Sequence, residues 1–200
     1  MRKFYSQAGQ DEWVGSFFGW KKKGFFLDVG AHNGIDINNT YFLEKELDWN
    51  GICIEADPEI FGLLKQNRNS HCLNVGVSDV TGEMNFLPDG FSGRESNLPE
   101  AIKIKTKTIR DILNLYNTPK IIDYVSLDIE GMELKALKGF PFEKHQILTM
   151  TVEHNLYTGK LTYKEQIKDF LLSKGFIIYK ENVEHQGSAF EDWFIHKMII

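Results

Sequence analysis

Apolar residues fall along this chain in short runs separated by stretches with helical spacing. Phe25–Val29, Gly51–Glu55, His71–Val77, Glu83–Phe86, Ile102–Lys107, Ile121–Leu127, Ile147–Val152, Phe176–Lys180 and Phe190–His196 read as strands. Between them, Ile109, Ile112, Leu113 and Tyr116 follow an i, i+3, i+4, i+7 pattern, and Thr108 with Asp111 has the spacing of a capping box. Tyr163, Ile167, Phe170 and Leu171 repeat that pattern until Gly175 stops it. Pro58 stands where a first-turn proline would start a helix carrying Ile60, Phe61 and Leu64. Strands alternating with helices predict an α/β fold, its mostly parallel sheet covered by helices on both faces. The last two runs are joined by a polar, glycine-containing loop and fit an antiparallel hairpin. Sheets of this kind bind ligands at the carboxyl ends of their strands.

No repeat, low-complexity tract or shift in composition divides the chain, so residues 1–200 read as one domain with a sizeable core. Residues 1–24 carry Trp13, Phe17, Phe18 and Trp20 and predict a helical extension packed on that domain, over the sheet edge or a bound ligand. The polar loop within residues 88–101 has the length of a lid or binding element facing substrate, or of a surface excursion without a role.

Candidate chemistry concentrates at the strand ends. The run Phe25-Phe26-Leu27-Asp28-Val29-Gly30-Ala31-His32-Asn33-Gly34 is a buried strand, a terminal acid and a glycine turn, and the strand Gly51–Glu55 ends in a second acid. A strand, glycine turn, helix and acid-tipped strand is the arrangement that grips an adenosine-containing cofactor, the second acid taking the ribose hydroxyls. The nicotinamide fingerprint requires G-x-G-x-x-G, whereas this loop reads Asp28-x-Gly30-x-x-x-Gly34 with no third glycine. Acids at two strand tips suit a cationic sulfonium with an ammonium group, S-adenosylmethionine (SAM), better than a pyrophosphate. Glycine turns of this form also occur as plain strand-to-helix connections.

Further segments extend the pattern: Asn38-Asn39-Thr40, Trp49 through Pro58, Gly76-Val77-Ser78-Asp79, Lys107 through Leu113, and Ile122 through Glu133 with its Asp128-Ile129-Glu130-Gly131-Met132-Glu133. In this order, from Ser6-Gln7-Ala8-Gly9-Gln10-Asp11 to Glu191-Asp192-Trp193, the chain resembles the FkbM-type family of SAM-dependent methyltransferases. The resemblance implies a Rossmann-like fold with a seven-stranded, mostly parallel sheet ending in an antiparallel hairpin. It implies methyl transfer from SAM, usually to a hydroxyl of a sugar, glycan or other small metabolite. SAM would then lie against Asp28, Gly30, Ala31, His32, Asn33 and Gly34, with Glu55 and Ala56 at the ribose and Ser78 and Asp79 at the adenine. Gln10 and Asp11 would approach the same site. His32 departs from the asparagine that many members carry.

O-methylation also needs a proton acceptor, because an alcohol is a poor nucleophile at neutral pH. Asp128 and Glu130 follow one strand, Glu153 and His154 the next. His154 is the first choice for the base, since imidazole titrates near neutrality, and Asp128 the second. A hydrogen-bonded structural histidine, or a turn at Asp128–Gly131 that caps the following helix, would explain the same residues. Asp128, Glu130, Glu153 and His154 also form a set able to hold Mg²⁺ or Mn²⁺, although nothing in their spacing requires a metal.

A formal net charge of -5 argues against a nucleic-acid partner bound through phosphates. Lys103, Lys105, Lys107 and Arg110 alternate with Ile102, Ile104 and Thr106 as the wet face of a strand would. Cys53 and Cys72 lie in apolar runs and read as buried free thiols. No apolar run approaches a membrane span, and Met1-Arg2-Lys3 is followed by polar residues instead of a signal sequence, so a cytoplasmic location is the expectation. The competing functions are a non-catalytic SAM-fold binding or regulatory module and methylation of a macromolecule. Acceptor, pathway and oligomeric state are not encoded in any motif.

Overall fold

The computed structural model describes residues 2–156, 159 and 161–200. Its main sheet has seven strands: β1 (Phe25–Val29), β2 (Asn50–Glu55), β3 (His71–Asn74), β8 (Ile121–Leu127), β9 (Gln146–Glu153), β10 (Phe176–His185) and β11 (Ser188–His196). Their order is β10-β11-β9-β8-β1-β2-β3, with β11 antiparallel to both neighbours and the other pairings parallel. The chain leaves β1 toward β2 and returns on its other side at β8. This reversal opens a crevice at the carboxyl ends of the central strands.

Period-two alternation decides what each face receives. Leu27, Val29, Ile52, Ile54, Val125, Leu127, Met150 and Val152 join one core, built with α4 (Ile109–Leu115), α5 (Glu133–Lys138) and α6 (Leu161–Ser173). Phe26, Cys53, Tyr124 and Trp193 face the other way, onto α1 (Gln10–Phe17), α2 (Tyr41–Leu47) and α3 (Pro58–Asn67). Trp13 of α1 stacks on Trp193 with ring centroids 4.6 Å apart, so the N-terminal extension covers the hairpin edge of the sheet. No helix among the described residues is long and apolar enough to cross a membrane. Cys53 and Cys72 are free thiols, the first buried and the second half-buried.

Local signals explain the helix starts. The Asp57 carboxylate caps α3 by accepting the N–H groups of Glu59 and Ile60, with Pro58 in the first turn. Thr108 Oγ1 accepts Asp111 N–H at 3.0 Å and opens α4. Asp111 does not close the box, because its carboxylate takes the Thr81 hydroxyl.

One expected strand divides. Asn74 donates its side-chain N–H to the carbonyls of Glu55 and Ala56 (2.8 and 3.1 Å), and β3 ends there. The chain then enters a second sheet of β4 (Gly76–Val77), β5 (Gly82–Leu87), β6 (Arg94–Glu95) and β7 (Ile102–Lys107), ordered β4-β7-β5-β6. Two of the nine apolar runs, 83–86 and 102–107, therefore build a small antiparallel flap instead of extending the main sheet.

Arg68, just after α3, is the central polar contact of the α1–α3 side. Its Nε donates to Glu44 Oε2 at 2.9 Å, Nη1 to Asn38 Oδ1 at 3.1 Å, and Nη2 to Thr40 Oγ1 at 2.9 Å; Nη1 also lies 3.8 Å from Asp28 Oδ2. The guanidinium is fully buried. Replacing it by Met would leave the buried Asp28 without a counter-charge and Glu44 with Lys45 alone. Arg68→Met should lower the unfolding free energy by about 3–5 kcal/mol, measured by urea denaturation; a loss within error of zero would show that the network carries no stability.

Candidate active site

A cavity of about 300 Å³ opens at the carboxyl ends of β1, β2, β8 and β9. Its floor is the turn after β1. Gly30 has φ +88, and a Cβ there would lie 1.7 Å from the Asp128 carbonyl oxygen. The glycine is thus needed so that this turn can press against the end of β8. Gly34, at φ +80, similarly lets the chain pass Arg68 and Leu64, since a Cβ would lie 2.7 Å from side-chain atoms of both. Both glycines make room for protein atoms.

Asp28 lines the cavity but is spoken for by the protein. Its Oδ2 accepts Asn38 Nδ2 at 2.9 Å and the Thr40 hydroxyl at 2.6 Å. Burial raises its pKa, an effect that Arg68, Thr40 and Asn38 oppose. Glu55 lies at the end of β2 and also faces the cavity. Its Oε2 accepts His32 N–H and its Oε1 Asp57 N–H, both at 2.8 Å. Burial lifts Glu55 to about 6 in spite of these bonds. Ala31, His32 and Ala56 complete this part of the wall, with Ile54, Val75 and Val77 as its apolar patch. The His32 ring stacks on Phe91, centroids 3.8 Å apart, and burial lowers its pKa. Phe91 belongs to the 88–101 segment, which contributes Gly90, Phe91, Gly93, Arg94 and Glu95 to the lining.

The opposite end of the cavity is acidic. Leu127 pairs with Val152, so Asp128 and Glu153 stand side by side where β8 and β9 end. One carboxylate oxygen from each, and one from Glu130, lie within 4.8 Å of one another. Burial raises Asp128, a hydrogen bond with Glu153 opposes the rise, and the neighbouring acids Glu130 and Glu133 add to it. Burial, then Asp128, holds Glu153 well above the usual carboxylate range. The turn carrying these groups is held by Glu133, whose carboxylate accepts the N–H groups of Ile129 and Gly131 and the Tyr163 hydroxyl. The last acid of D-x-E-G-x-E is therefore the brace of the loop.

Several residues expected at the site stand elsewhere. His154 follows Glu153, so strand alternation turns it to the α4–α6 face with Met150 and Val152. There its Nδ1 accepts Leu156 N–H at 3.1 Å and its Nε2 lies 3.3 Å from Asp192 Oδ1, next to buried Lys164. Ser78 and Asp79 are carried off by the flap: Ser78 N–H bonds the Lys107 carbonyl, and a Cβ on Gly139 would meet the Ser78 carbonyl at 2.8 Å. Gln10 is fully buried and spans Ala8 N–H and Glu191 Oε1, while Asp11 holds Tyr5 and Ser6. Asn33 shapes its own turn by accepting the N–H groups of Ile35 and Asp36. Asn39, not expected at the site, lines the cavity with Nδ2 bonded to Ser126 Oγ at 2.9 Å.

Residues 28–178 match the family model described as Methyltransferase FkbM domain. No curated protein sequence matches the chain significantly. Among solved structures, the chain is similar to methyltransferase FkbM from Methylobacillus flagellatus KT, with a TM-score of 0.59 and 16% identity over 88% of this chain and 44% of that one. It is also similar to precorrin-6y C5,15-methyltransferase from Geobacter metallireducens GS-15 (TM-score 0.54, 10% identity, 94% of this chain and 87% of that one). A third is a TehB-like SAM-dependent methyltransferase from Corynebacterium glutamicum ATCC 13032 Kitasato (0.53, 11%, 98% and 90%). At these identities the likeness is one of fold.

The buried acids at the cavity's acidic end, and Glu191 on the neighbouring strand, carry a signature in stability. Burial raises Asp128, Glu153 and Glu191, the last to about 8. Each holds its proton to higher pH in the folded protein than in the unfolded chain, so stability falls as pH rises through this range. The melting temperature should drop between about pH 6.5 and about pH 8, followed by circular dichroism. An unchanged or higher value at the upper pH would contradict the assignment.

Proposed function

The chain belongs to the FkbM family of SAM-dependent methyltransferases, and on that premise we propose that it methylates a hydroxyl group of a small molecule, a sugar or glycan above all, with SAM as donor. The observation that carries this reading is Glu55, a strand-end carboxylate facing a cavity whose floor is the Gly30 turn. The residues fit an adenosyl cofactor. Glu55 would accept the two ribose hydroxyls, and Val75 and Val77 would flank the adenine in the position expected of Ser78 and Asp79. The acids Asp28 and Asp128 lie where a cationic amino-acid portion needs counter-charge, with Gly30 and Ala31 beneath it.

Bound SAM supplies an electrophilic methyl group on a sulfonium. The chain's own contribution is to hold the acceptor oxygen in line with it and to take the hydroxyl proton as the new carbon–oxygen bond forms. Asp128 is the proposed proton acceptor. It faces the cavity, and its raised pKa brings it toward the operating pH, as a general base requires. Asp128 is preferred to His154, whose ring nitrogens face Leu156 N–H and Asp192. The His32–Phe91 stack would shield the donor from water.

Calorimetric titration with S-adenosylhomocysteine should show Glu55→Ala binding more than about tenfold weaker, the loss of a charged hydrogen-bond acceptor. Unchanged affinity would remove the ribose role. Asp128→Asn should lose about 10²- to 10⁴-fold in turnover while keeping its affinity for that ligand, assayed with isotopically labelled SAM and a panel of sugars. Full turnover would exclude Asp128 as base.

A further inference from the structure

The two cysteines of the chain stand opposite each other on neighbouring strands. Cys53 of β2 is the register partner of Cys72 of β3 in a parallel pair, and β3 is the edge of the main sheet. Both side chains join the core on the α1–α3 side, where Cys53 is fully buried and Cys72 half-buried. Paired strands run about 4.7–4.9 Å apart. That spacing is inside the span of about 4.4–6.8 Å that a disulfide bridges between Cα atoms.

Their contacts give the two thiols different roles. Cys72 S–H donates to the Ser70 carbonyl, sulfur to oxygen 3.4 Å, which leaves its sulfur to accept Cys53 S–H. The bond from Cys53 lowers the pKa of Cys72 against the opposing effect of burial, and Arg68, on the same side of the sheet, adds to the lowering. Burial, then the same bond, pushes Cys53 well up. Cys72 is therefore the readier thiolate and the one nearer solvent, and Cys53 is a protonated thiol already in contact with it. A reactive thiol beside a resolving thiol is the arrangement that captures peroxides.

Register also decides what the pair can move. Two residues farther along, Glu55 is paired with Asn74, whose side chain holds the Glu55 and Ala56 carbonyls at 2.8 and 3.1 Å. Bringing the two sulfurs from hydrogen-bond contact to bonding distance draws β2 and β3 together just before Glu55.

We propose that Cys53 and Cys72 are a peroxide-oxidisable dithiol, which closes to an intramolecular disulfide and shifts the Glu55 carboxylate at the end of β2. The Cys72 thiolate attacks the terminal oxygen of a hydroperoxide and the O–O bond breaks. The leaving alkoxide takes up the proton that the thiol released, and Cys72 becomes a sulfenic acid. The Cys53 sulfur then displaces the hydroxyl of that acid, forming the S–S bond, and the hydroxyl leaves as water with the Cys53 proton. The two sulfurs together give up two electrons, which the peroxide takes. Only the effect on cofactor binding rests on the methyl-transfer reading.

The test is exposure of the reduced full chain to hydrogen peroxide, followed by thiol counting in denaturant with N-ethylmaleimide and by peptide mapping. Loss of both thiols and a peptide joining Cys53 to Cys72 are expected, and dithiothreitol should reverse both. Cys53→Ala should stop at the sulfenic acid, trapped on Cys72 by dimedone, whereas Cys72→Ala should leave Cys53 unreacted. Both thiols still titratable after peroxide, or a crosslink between chains in place of the internal one, would overturn the site. The map of the unsubstituted chain decides this even if a variant fails to fold. In calorimetry, the oxidised chain should bind S-adenosylhomocysteine about fivefold or more weakly than the reduced chain, having lost part of a charged hydrogen bond at Glu55. Equal affinities would overturn the coupling to Glu55. Absence of binding by the reduced chain as well would overturn the methyl-transfer reading and the coupling with it, while the disulfide is still read from the peptide map.

Discussion

One buried guanidinium organises the wall on which this site is built. Arg68 gathers Glu44 from α2, Asn38 and Thr40 from the segment before it, and Asp28 from the end of β1. Burial pushes Glu44 up, but Arg68, the Asn69 N–H and the Ser70 hydroxyl outweigh it and hold Glu44 at about 2. Glu44 and Arg68 are therefore charged over the whole working range of pH. The bonds of Arg68 reach the turn from Asp28 to Gly34 through Asn38, Thr40 and the Gly34 carbonyl, and that turn presents His32 N–H to Glu55. An uncompensated charge in the same place would cost several kcal/mol, so the turn is held more firmly than glycine-rich chain alone would be.

The acids at the other end of the cavity have been left without such a partner. Asp128 and Glu153 are buried at neighbouring strand ends, and each is driven toward its neutral form. A fold selected for stability alone would have paired them or replaced them with apolar residues. Glu133 and Tyr163 brace the turn that carries Asp128 and Glu130, so their positions are built and not incidental. Local departures from stability of this kind gather at functional sites.

Much of this was legible in the chain. Alternating apolar runs and helical spacings foretell the α/β architecture, and the family resemblance adds the seven-stranded sheet and its hairpin. Asp28, Glu55, Asp128, Glu130 and Glu153 all reach the cavity, because acids just past buried strands must emerge at the sheet's carboxyl edge. What escaped depends on distance or on one residue's parity. His154 is one position beyond Glu153 and so turns to the opposite face. Ser78 and Asp79 follow the break at Asn74, whose side-chain bonds to two backbone carbonyls have no local motif. Arg68 carries no signal either, since its partners lie 24 to 40 residues earlier. Asn39 and Phe91 belong to the cavity only through contacts with Ser126 and His32 made by the folded chain.

On the proposed function, the cavity between Glu55 and Asp128 holds the methyl donor, with the acceptor at the acidic end. A crystal structure of the protein with S-adenosylhomocysteine tests it most directly. The ribose hydroxyls are expected on the Glu55 carboxylate, the adenine against Val75 and Val77, and the sulfur turned toward Asp128 and Glu153. Ligand density outside this cavity, or a ribose that leaves Glu55 untouched, would contradict it.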